Sequence, residues 1–235
     1  MKRIATIVAI VAVLVAPGAN ALEKTREAVD ASEYSDWSAG ATCTVLHYNF
    51  CTGWVFNWSG WVDGDMVGQV YDTCCNGSSE LLLSNLRIRD GAPAGYGFTG
   101  TIQVSAADAN DCPTTPIMIQ PYLPETGWQL VNWGTPVPSR FIVSMTLADA
   151  GVPTPVRLRT DHPSPGPTGP EACGTCYPTS RVNHSFSYGN AASPLCPGSP
   201  FDDAESICDA ELVWEQVLAC TVSIEDESWS KVKSL

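Results

Sequence analysis

The chain has 235 residues and a formal net charge of −13, with 44% hydrophobic and 16% charged residues. This size fits one domain or at most two, and the 19 glycines and 18 prolines indicate a globular chain rich in loops. The negative charge repels nucleic acid phosphates, so we expect no nucleic-acid partner. No motif in the sequence specifies an activity.

Residues 1–21 are predicted to be a signal peptide. Two basic residues open the chain, an apolar stretch follows, and a cleavage site between small residues ends at Ala21. The apolar stretch is shorter than the ~20 residues that a membrane-spanning helix needs, and no later segment is long and apolar enough. We therefore predict a secreted protein, extracellular or at the cell surface, with no membrane-spanning segment after cleavage.

All ten cysteines follow the predicted cleavage site: Cys43, Cys51, Cys74, Cys75, Cys112, Cys173, Cys176, Cys196, Cys208 and Cys220. An even number behind an export signal predicts disulfides formed in an oxidising compartment. Cys74 and Cys75 are adjacent and would be strained as a mutual pair, so we expect each to have a distant partner. Cys173 and Cys176 have the spacing of a redox or zinc motif, but no helix is predicted there to lower a thiol pKa, which favours a structural disulfide.

Taken in chain order, the mature sequence begins with a polar lead-in segment, residues 22–41, that we expect to be loosely ordered or briefly helical. Residues 42–222 then show apolar and polar side chains alternating with a period of two, interrupted by Gly and Pro turns. Roughly eight to ten short strands of this kind predict a single all-β domain. We expect an antiparallel β-sandwich, a jelly roll or another Greek key, stabilised by disulfides.

Two segments depart from the strand pattern. Residues 161–178 are rich in Pro and Gly and are predicted to form a long loop, because Pro cannot sit in a central strand. Residues 223–235 form a charged tail, in which Ser223 and Asp226 fit a helix N-cap and Lys231 and Lys233 suit the opposite end. The tail is therefore predicted to contain a short C-terminal helix.

The second half of the chain resembles secreted bacterial β-sandwich modules. The resemblance lies in a Trp-containing strand at Trp128, the Phe141-Ile142-Val143 strand, Asp161, the Ser187-Tyr188 pair and the final strand from Leu212 to Cys220, within a stretch from Leu81 to Val222. Such modules are often appended to exported enzymes or surface proteins. The resemblance implies the fold and export, and it assigns no catalytic residue.

Aromatic side chains supply the candidates for ligand binding: Trp54, Trp58, Trp61, Tyr71 and Trp128. Flat apolar rings stack on the C–H face of a sugar ring, which makes glycans a candidate ligand. Trp54 and Trp58 share the parity of Phe50 and Phe56, which favours core packing for them. Trp61 follows a turn and is the better candidate for exposure.

Asp108, Asn110 and Asp111 directly follow a predicted strand and offer oxygen ligands for calcium. They do not complete an EF-hand loop. Asp and Asn also bond back to the backbone of turns, and this turn-forming role is the favoured interpretation. We predict no cofactor other than this possible calcium ion.

The three histidines accompany no catalytic motif. His47 and His184 fall in predicted strands, and His162 precedes a proline. We therefore predict a non-catalytic role, either binding glycans or other extracellular proteins, or structural. The alternatives are a secreted hydrolase, such as a glycoside hydrolase, and a surface-assembly protein anchored by its C-terminal tail.

Overall fold

The computed structural model describes residues 22–29, 42–90, 100–123, 125–147, 157–162, 183–203 and 208–220. These residues form fifteen β-strands and no helix. The strands are β1 (Glu23–Ala28), β2 (Thr42–Leu46), β3 (Trp54–Ser59), β4 (Asp65–Asp72), β5 (Ser79–Asp90), β6 (Thr101–Ala107), β7 (Pro113–Pro121), β8 (Gly127–Val137), β9 (Arg140–Thr146), β10 (Arg157–Asp161), β11 (Ser185–Asn190), β12 (Ser199–Pro200), β13 (Asp202–Asp203), β14 (Cys208–Asp209) and β15 (Trp214–Cys220).

Eight consecutive strands, β3 to β10, wind between two antiparallel sheets. One sheet contains β3-β10-β5-β8 in this order, and the other contains β4-β9-β6-β7. The chain changes sheet at every connection except the one from β6 to β7. This winding is that of a jelly roll, which combines two Greek keys in one sandwich. The predicted all-β antiparallel sandwich is confirmed, and the strand order selects the jelly roll.

Five further strands extend the two sheets of the jelly roll. The two-residue strand β12 pairs with β11, and we call the other four, β1, β2, β11 and β15, the accessory strands. β1 pairs with β3, and β11 pairs with β4. β15 runs along the first part of β5, as far as Leu86, and β10 takes the same edge of β5 from Ile88 onwards. β2 pairs with the outer edge of β15.

The accessory strand β1 corrects our expectation for the lead-in segment. Residues 23–28 are neither loosely ordered nor helical, because they pair with β3 in a continuous antiparallel register from Glu23 opposite Ser59 to Ala28 opposite Trp54. The sequence of β1 is polar except for Ala28, so its own periodicity does not indicate a strand. The partner strand supplies the hydrogen bonds that hold this segment extended.

The core between the two sheets is built from the alternating apolar residues. Its fully or almost fully buried members include Leu86, Ile88, Ile102, Val104, Phe141, Val143, Met145, Trp214 and Leu218. Each such side chain contributes about 1.5–3 kcal/mol of burial free energy relative to exposure. Most of the large apolar side chains in this core come from the jelly-roll strands, with β15 as the main accessory contributor.

Disulfides link the accessory segments to the jelly roll. Cys43 in β2 bonds Cys74, Cys75 bonds Cys220 in β15, and Cys112 bonds Cys196, which follows β11. Cys74 and Cys75 thus have distant partners, which confirms our expectation for this adjacent pair. Cys51 is also disulfide-bonded, and no cysteine side chain in the described residues is free.

Several predicted features lie outside the described residues: the signal peptide, Cys173 and Cys176, most of the loop 161–178, and the tail 223–235. The structure describes the backbone of Cys208 and not its side chain. Within the described ranges, no helix has the length and apolar character of a membrane span.

Candidate functional site

Three of the five predicted aromatic residues belong to the protein interior. Trp58, Trp61 and Tyr71 each expose no more than 8% of their surface. Trp58 Nε1 donates a hydrogen bond to Thr160 Oγ1 at 2.9 Å, and Trp61 Nε1 donates to the backbone oxygen of Trp58 at 3.0 Å. The exposure that we expected for Trp61 is wrong, because its ring packs next to Phe201 in the core.

Trp54 and Trp128 are half-buried, and each has an arginine next to its ring. The Arg26 guanidinium lies 4.6 Å from the Trp54 ring centroid, and the Arg87 guanidinium lies 5.6 Å from that of Trp128. Trp128 is in β8 directly opposite Arg87 in β5, and Leu130, two residues further along β8, is 51% exposed. Trp54 lies on β3 and Trp128 on β8, and the strands β10 and β5 separate them in the sheet, so the two tryptophans do not form one platform.

The predicted calcium ligands form a tight turn between β6 and β7. Asp108 Oδ1 accepts hydrogen bonds from the backbone nitrogens of Asn110 at 2.8 Å and Cys112 at 2.9 Å. Asp111 has a φ of 59°, a left-handed conformation that Asp tolerates better than most residues. This geometry fits the turn-forming interpretation of Asp108.

The Asp111 carboxylate is engaged by Arg140. One of its oxygens accepts hydrogen bonds from Arg140 Nε at 2.9 Å and Nη2 at 2.6 Å, while Arg140 Nη1 binds Asp72 at 2.7 Å. Among the described residues, three potential metal-ligand atoms of His, Cys, Asp or Glu converge only at Cys43, Cys75 and Cys220, and all three are in disulfides. Calcium binding by the turn stays a prediction.

The fold brings together a cluster of polar side chains that the sequence analysis did not identify as a site. His47 follows β2 directly, His184 precedes β11, and Glu211 precedes β15. The two imidazole rings stack with centroids 3.5 Å apart and planes 3° from parallel. His184 Nδ1 lies 3.0 Å from Glu211 Oε1, and His47 Nε2 lies 3.0 Å from the backbone oxygen of Val70.

Glu211 is only 3% exposed, and its carboxylate is surrounded by hydrogen-bond donors. Ser185 Oγ donates to its Oε2 at 2.6 Å, and Gln69 Nε2 donates to the same oxygen at 3.2 Å. The backbone nitrogen of His184 donates to Oε1 at 3.2 Å. Together with the contact to the His184 ring, these donors hold the Glu211 side chain in one orientation and satisfy both of its buried oxygens.

The polar contacts continue from this cluster through the sandwich. Tyr71 Oη donates to Gln69 Oε1 and accepts from Gln216 Nε2 at 2.9 Å. Ser84 Oγ donates to Gln216 Oε1 and accepts from Trp133 Nε1 at 2.7 Å. Gln216 belongs to the accessory strand β15, whereas its partners belong to the jelly roll, so the network crosses between the two parts of the fold.

Burial controls protonation in this region. Burial, followed by the proximity of His184, lowers the pKa of His47 to about 4, so the ring is neutral at neutral pH. Burial also raises the pKa of Tyr71 well above its ordinary value, so the hydroxyl keeps its proton. The network therefore operates with a neutral imidazole and a neutral phenol.

Sequence reasoning missed this cluster because its members are far apart in the chain. His47 and Glu211 are separated by 164 positions along the sequence and share no spacing motif. Both histidines lie just outside strands, whereas we expected them inside. Only the pairing of β2 with β15, and of β11 with β4, places the three side chains next to one another.

Comparisons with known proteins support the fold and go no further. No protein-family model matches the chain, and no curated protein matches it. The structure is similar to the crystal structure of the cysteine protease and lectin-like domains of Cwp84, a surface layer associated protein of Clostridium difficile. The TM-score is 0.53 at 9% sequence identity, and the match covers 77% of this chain and 36% of that one.

Proposed function

We propose that the protein is a non-catalytic binding module at the cell surface or outside the cell, with carbohydrate as its ligand class. The jelly roll is a fold that lectin domains use, and the similar structure contains a lectin-like domain beside a cysteine protease domain in a surface layer associated protein. The disulfides support an oxidising compartment.

The observation that carries the proposal is the surface around Trp128. We define the Trp128 face as Trp128 and Leu130 in β8 together with Arg87 in β5. Trp128 offers part of an aromatic ring, Leu130 offers exposed apolar area, and the arginine supplies several hydrogen-bond donors. Stacking combined with donors for hydroxyl groups is the chemistry that a sugar ring requires.

A glycan array followed by calorimetry with the best ligand tests this proposal. We expect Trp128→Ala to abolish or greatly weaken binding at an unchanged fold, verified by the melting temperature. Trp54→Ala is the matched control, because Trp54 is also half-buried beside an arginine but lies on β3, which β10 and β5 separate from β8. Loss of binding in the Trp54 variant and not in the Trp128 variant would place the site at Trp54 and contradict the proposed Trp128 face.

The same purified protein distinguishes the alternative functions from glycan binding. Incubation with a panel of glycosidic and peptide substrates measures hydrolysis, and turnover that persists after repurification would contradict the non-catalytic role. No binding on the glycan array and no turnover of the panel substrates would favour a structural or assembly role instead.

Deletion of residues 223–235 tests anchoring by the tail. Altered cellular location with unchanged stability would support a surface-assembly protein attached by its tail.

A further inference from the structure

The turn between β4 and β5 contains the only Asn-Gly step of the sequence, Asn76-Gly77. Both residues are exposed and lie outside the strands. No hydrogen bond joins the Asn76 carboxamide or the Gly77 N–H to another described residue. The side-chain carbon of the asparagine and the backbone nitrogen that follows it are therefore both accessible and free to approach each other.

An asparagine in this position can react with its own backbone. The Gly77 nitrogen loses its proton and attacks Asn76 Cγ, which closes a five-membered succinimide ring and releases Nδ2 as ammonia. Water then opens the ring. Opening at Cγ gives aspartate, and opening at the main-chain carbonyl gives isoaspartate, in which the backbone runs through the side chain. Glycine favours ring closure, because it has no Cβ to hinder the nitrogen or restrict the backbone.

The asparagines in the strands are held away from this reaction. Asn57 is 4% exposed, donates from Nδ2 to Glu27 at 2.8 Å and accepts from Arg159 Nε at 3.1 Å. Asn85 is 3% exposed and donates from Nδ2 to Glu215 at 3.0 Å. Both lie in paired strands, whose backbone hydrogen bonds oppose the rotation that ring closure requires.

Asn190 gives the sharpest contrast, because it is exposed like Asn76. Its Oδ1 accepts a hydrogen bond from the backbone nitrogen of Ala192 at 2.9 Å. The nitrogen that would have to attack, that of Ala191, donates to the backbone oxygen of Gly64 at 2.8 Å. Both groups that would form the ring at this position are engaged, so exposure alone does not make Asn190 reactive.

We propose that Asn76 is a modification site, at which the folded protein deamidates spontaneously to aspartate and isoaspartate. The site is next to the point where β15 is attached, since Cys75 bonds Cys220 and Ser79 lies opposite the same residue in the sheet. Conversion adds a negative charge to this short connection, and isoaspartate also adds a methylene group to its backbone. The modification thus changes the charge and the length of the chain beside the anchor of an accessory strand.

Incubation of the disulfide-bonded protein in mildly alkaline buffer, followed by reduction and peptide mass mapping against an unincubated sample, tests the proposal. We expect the mass gain of an amide converted to an acid at Asn76 before it occurs at Asn57, Asn85 or Asn190. Hydroxylamine attacks the succinimide and should cleave the chain after Asn76. No conversion of Asn76, or earlier conversion of one of the other three, would overturn the proposal.

Two variants separate the effect of the fold from that of the dipeptide. Gly77→Ala places a methyl group beside the attacking nitrogen and should slow the conversion of Asn76 several-fold. Ala191→Gly creates a second Asn-Gly step at Asn190, where both reacting groups are hydrogen-bonded, and this step should react several-fold more slowly than the one at Asn76 in the same molecule.

Equal rates at the two Asn-Gly steps would show that the dipeptide alone determines the reactivity, which contradicts the structural assignment. The melting temperature verifies that both variants are folded. If Ala191→Gly destabilises the protein, the order of conversion among the asparagines of the unmodified chain still decides the proposal.

Discussion

The jelly-roll strands and the accessory strands are held in the molecule by different forces. Strands β3 to β10 bury most of the large apolar side chains between the two sheets. The accessory strands attach to them through backbone pairing, the three described disulfides and hydrogen bonds between polar side chains. The strands β1 and β2 bury little apolar area, so directional bonds and covalent links must fix their position. The strands β11 and β15 use such bonds in addition to buried side chains, among them Tyr188 and Trp214.

Buried polar side chains connect the accessory strands to the jelly-roll strands. Arg159 in β10 binds Glu27 in the accessory strand β1 at 3.1 Å and is only 4% exposed. Glu215 in β15 accepts a hydrogen bond from Asn85 in β5 at 3.0 Å. Apolar packing tolerates small shifts along a strand, whereas these bonds have one correct register. We infer that the polar contacts define where each accessory strand docks.

The largest loss of stability is expected from a substitution that creates a cavity in the jelly-roll core. Phe141→Ala removes a ring that is 0% exposed and should lower the free energy of unfolding by about 3–5 kcal/mol. Denaturant unfolding measures the loss. Met145→Leu is the matched control at the second inward position after Phe141 in β9, and this volume-conserving change should cost less than about 1.5 kcal/mol. Equal losses in the two variants would contradict tight core packing.

Removal of the disulfide between Cys75 and Cys220 should affect the accessory strands selectively. We expect the double change Cys75→Ser and Cys220→Ser to cost about 2–5 kcal/mol, the usual range for a native disulfide. Hydrogen exchange should accelerate in β15 and β2 before it does so in β6 and β9. A uniform acceleration in both sheets would show that the two parts unfold as one unit.

Gln216→Leu tests the polar network without creating a large cavity. Tyr71 loses a donor and Ser84 loses its acceptor, so we expect a loss of about 1–3 kcal/mol. Leu218→Met, on the same face of β15, is the control and should be nearly neutral. If the leucine variant is as stable as the unmodified protein, the network does not contribute to docking β15.

Arg140→Met should have the smallest effect. Its partners Asp72 and Asp111 lie near the surface, and the arginine side chain itself is 37% exposed. Exposed ion pairs are usually worth about 0.2–1 kcal/mol, and salt screens them. Thermal unfolding at low and high salt should therefore show a difference from the unmodified protein that shrinks as salt increases. Hydrogen exchange in the accessory strands should stay unchanged, because this arginine joins parts of the jelly roll only.

The amino-acid sequence by itself determined the class of this fold. Alternation of apolar and polar residues in segments such as 101–107 predicts strands, since a strand places successive side chains on opposite faces. The adjacency of Cys74 and Cys75 predicts distant partners for both, because a vicinal pair is strained. Both features depend only on residues that are close together in the chain, so they can be predicted from local sequence.

Tertiary structure alone decided the rest. β1 has no apolar periodicity and becomes a strand because β3 supplies its hydrogen bonds. Trp61 follows a turn yet lies in the core, because Phe201 from a distant segment covers it. His47, His184 and Glu211 meet only through strand pairing between remote parts of the chain. Contacts of this kind depend on which strands become neighbours, and periodicity within one strand does not specify its partner.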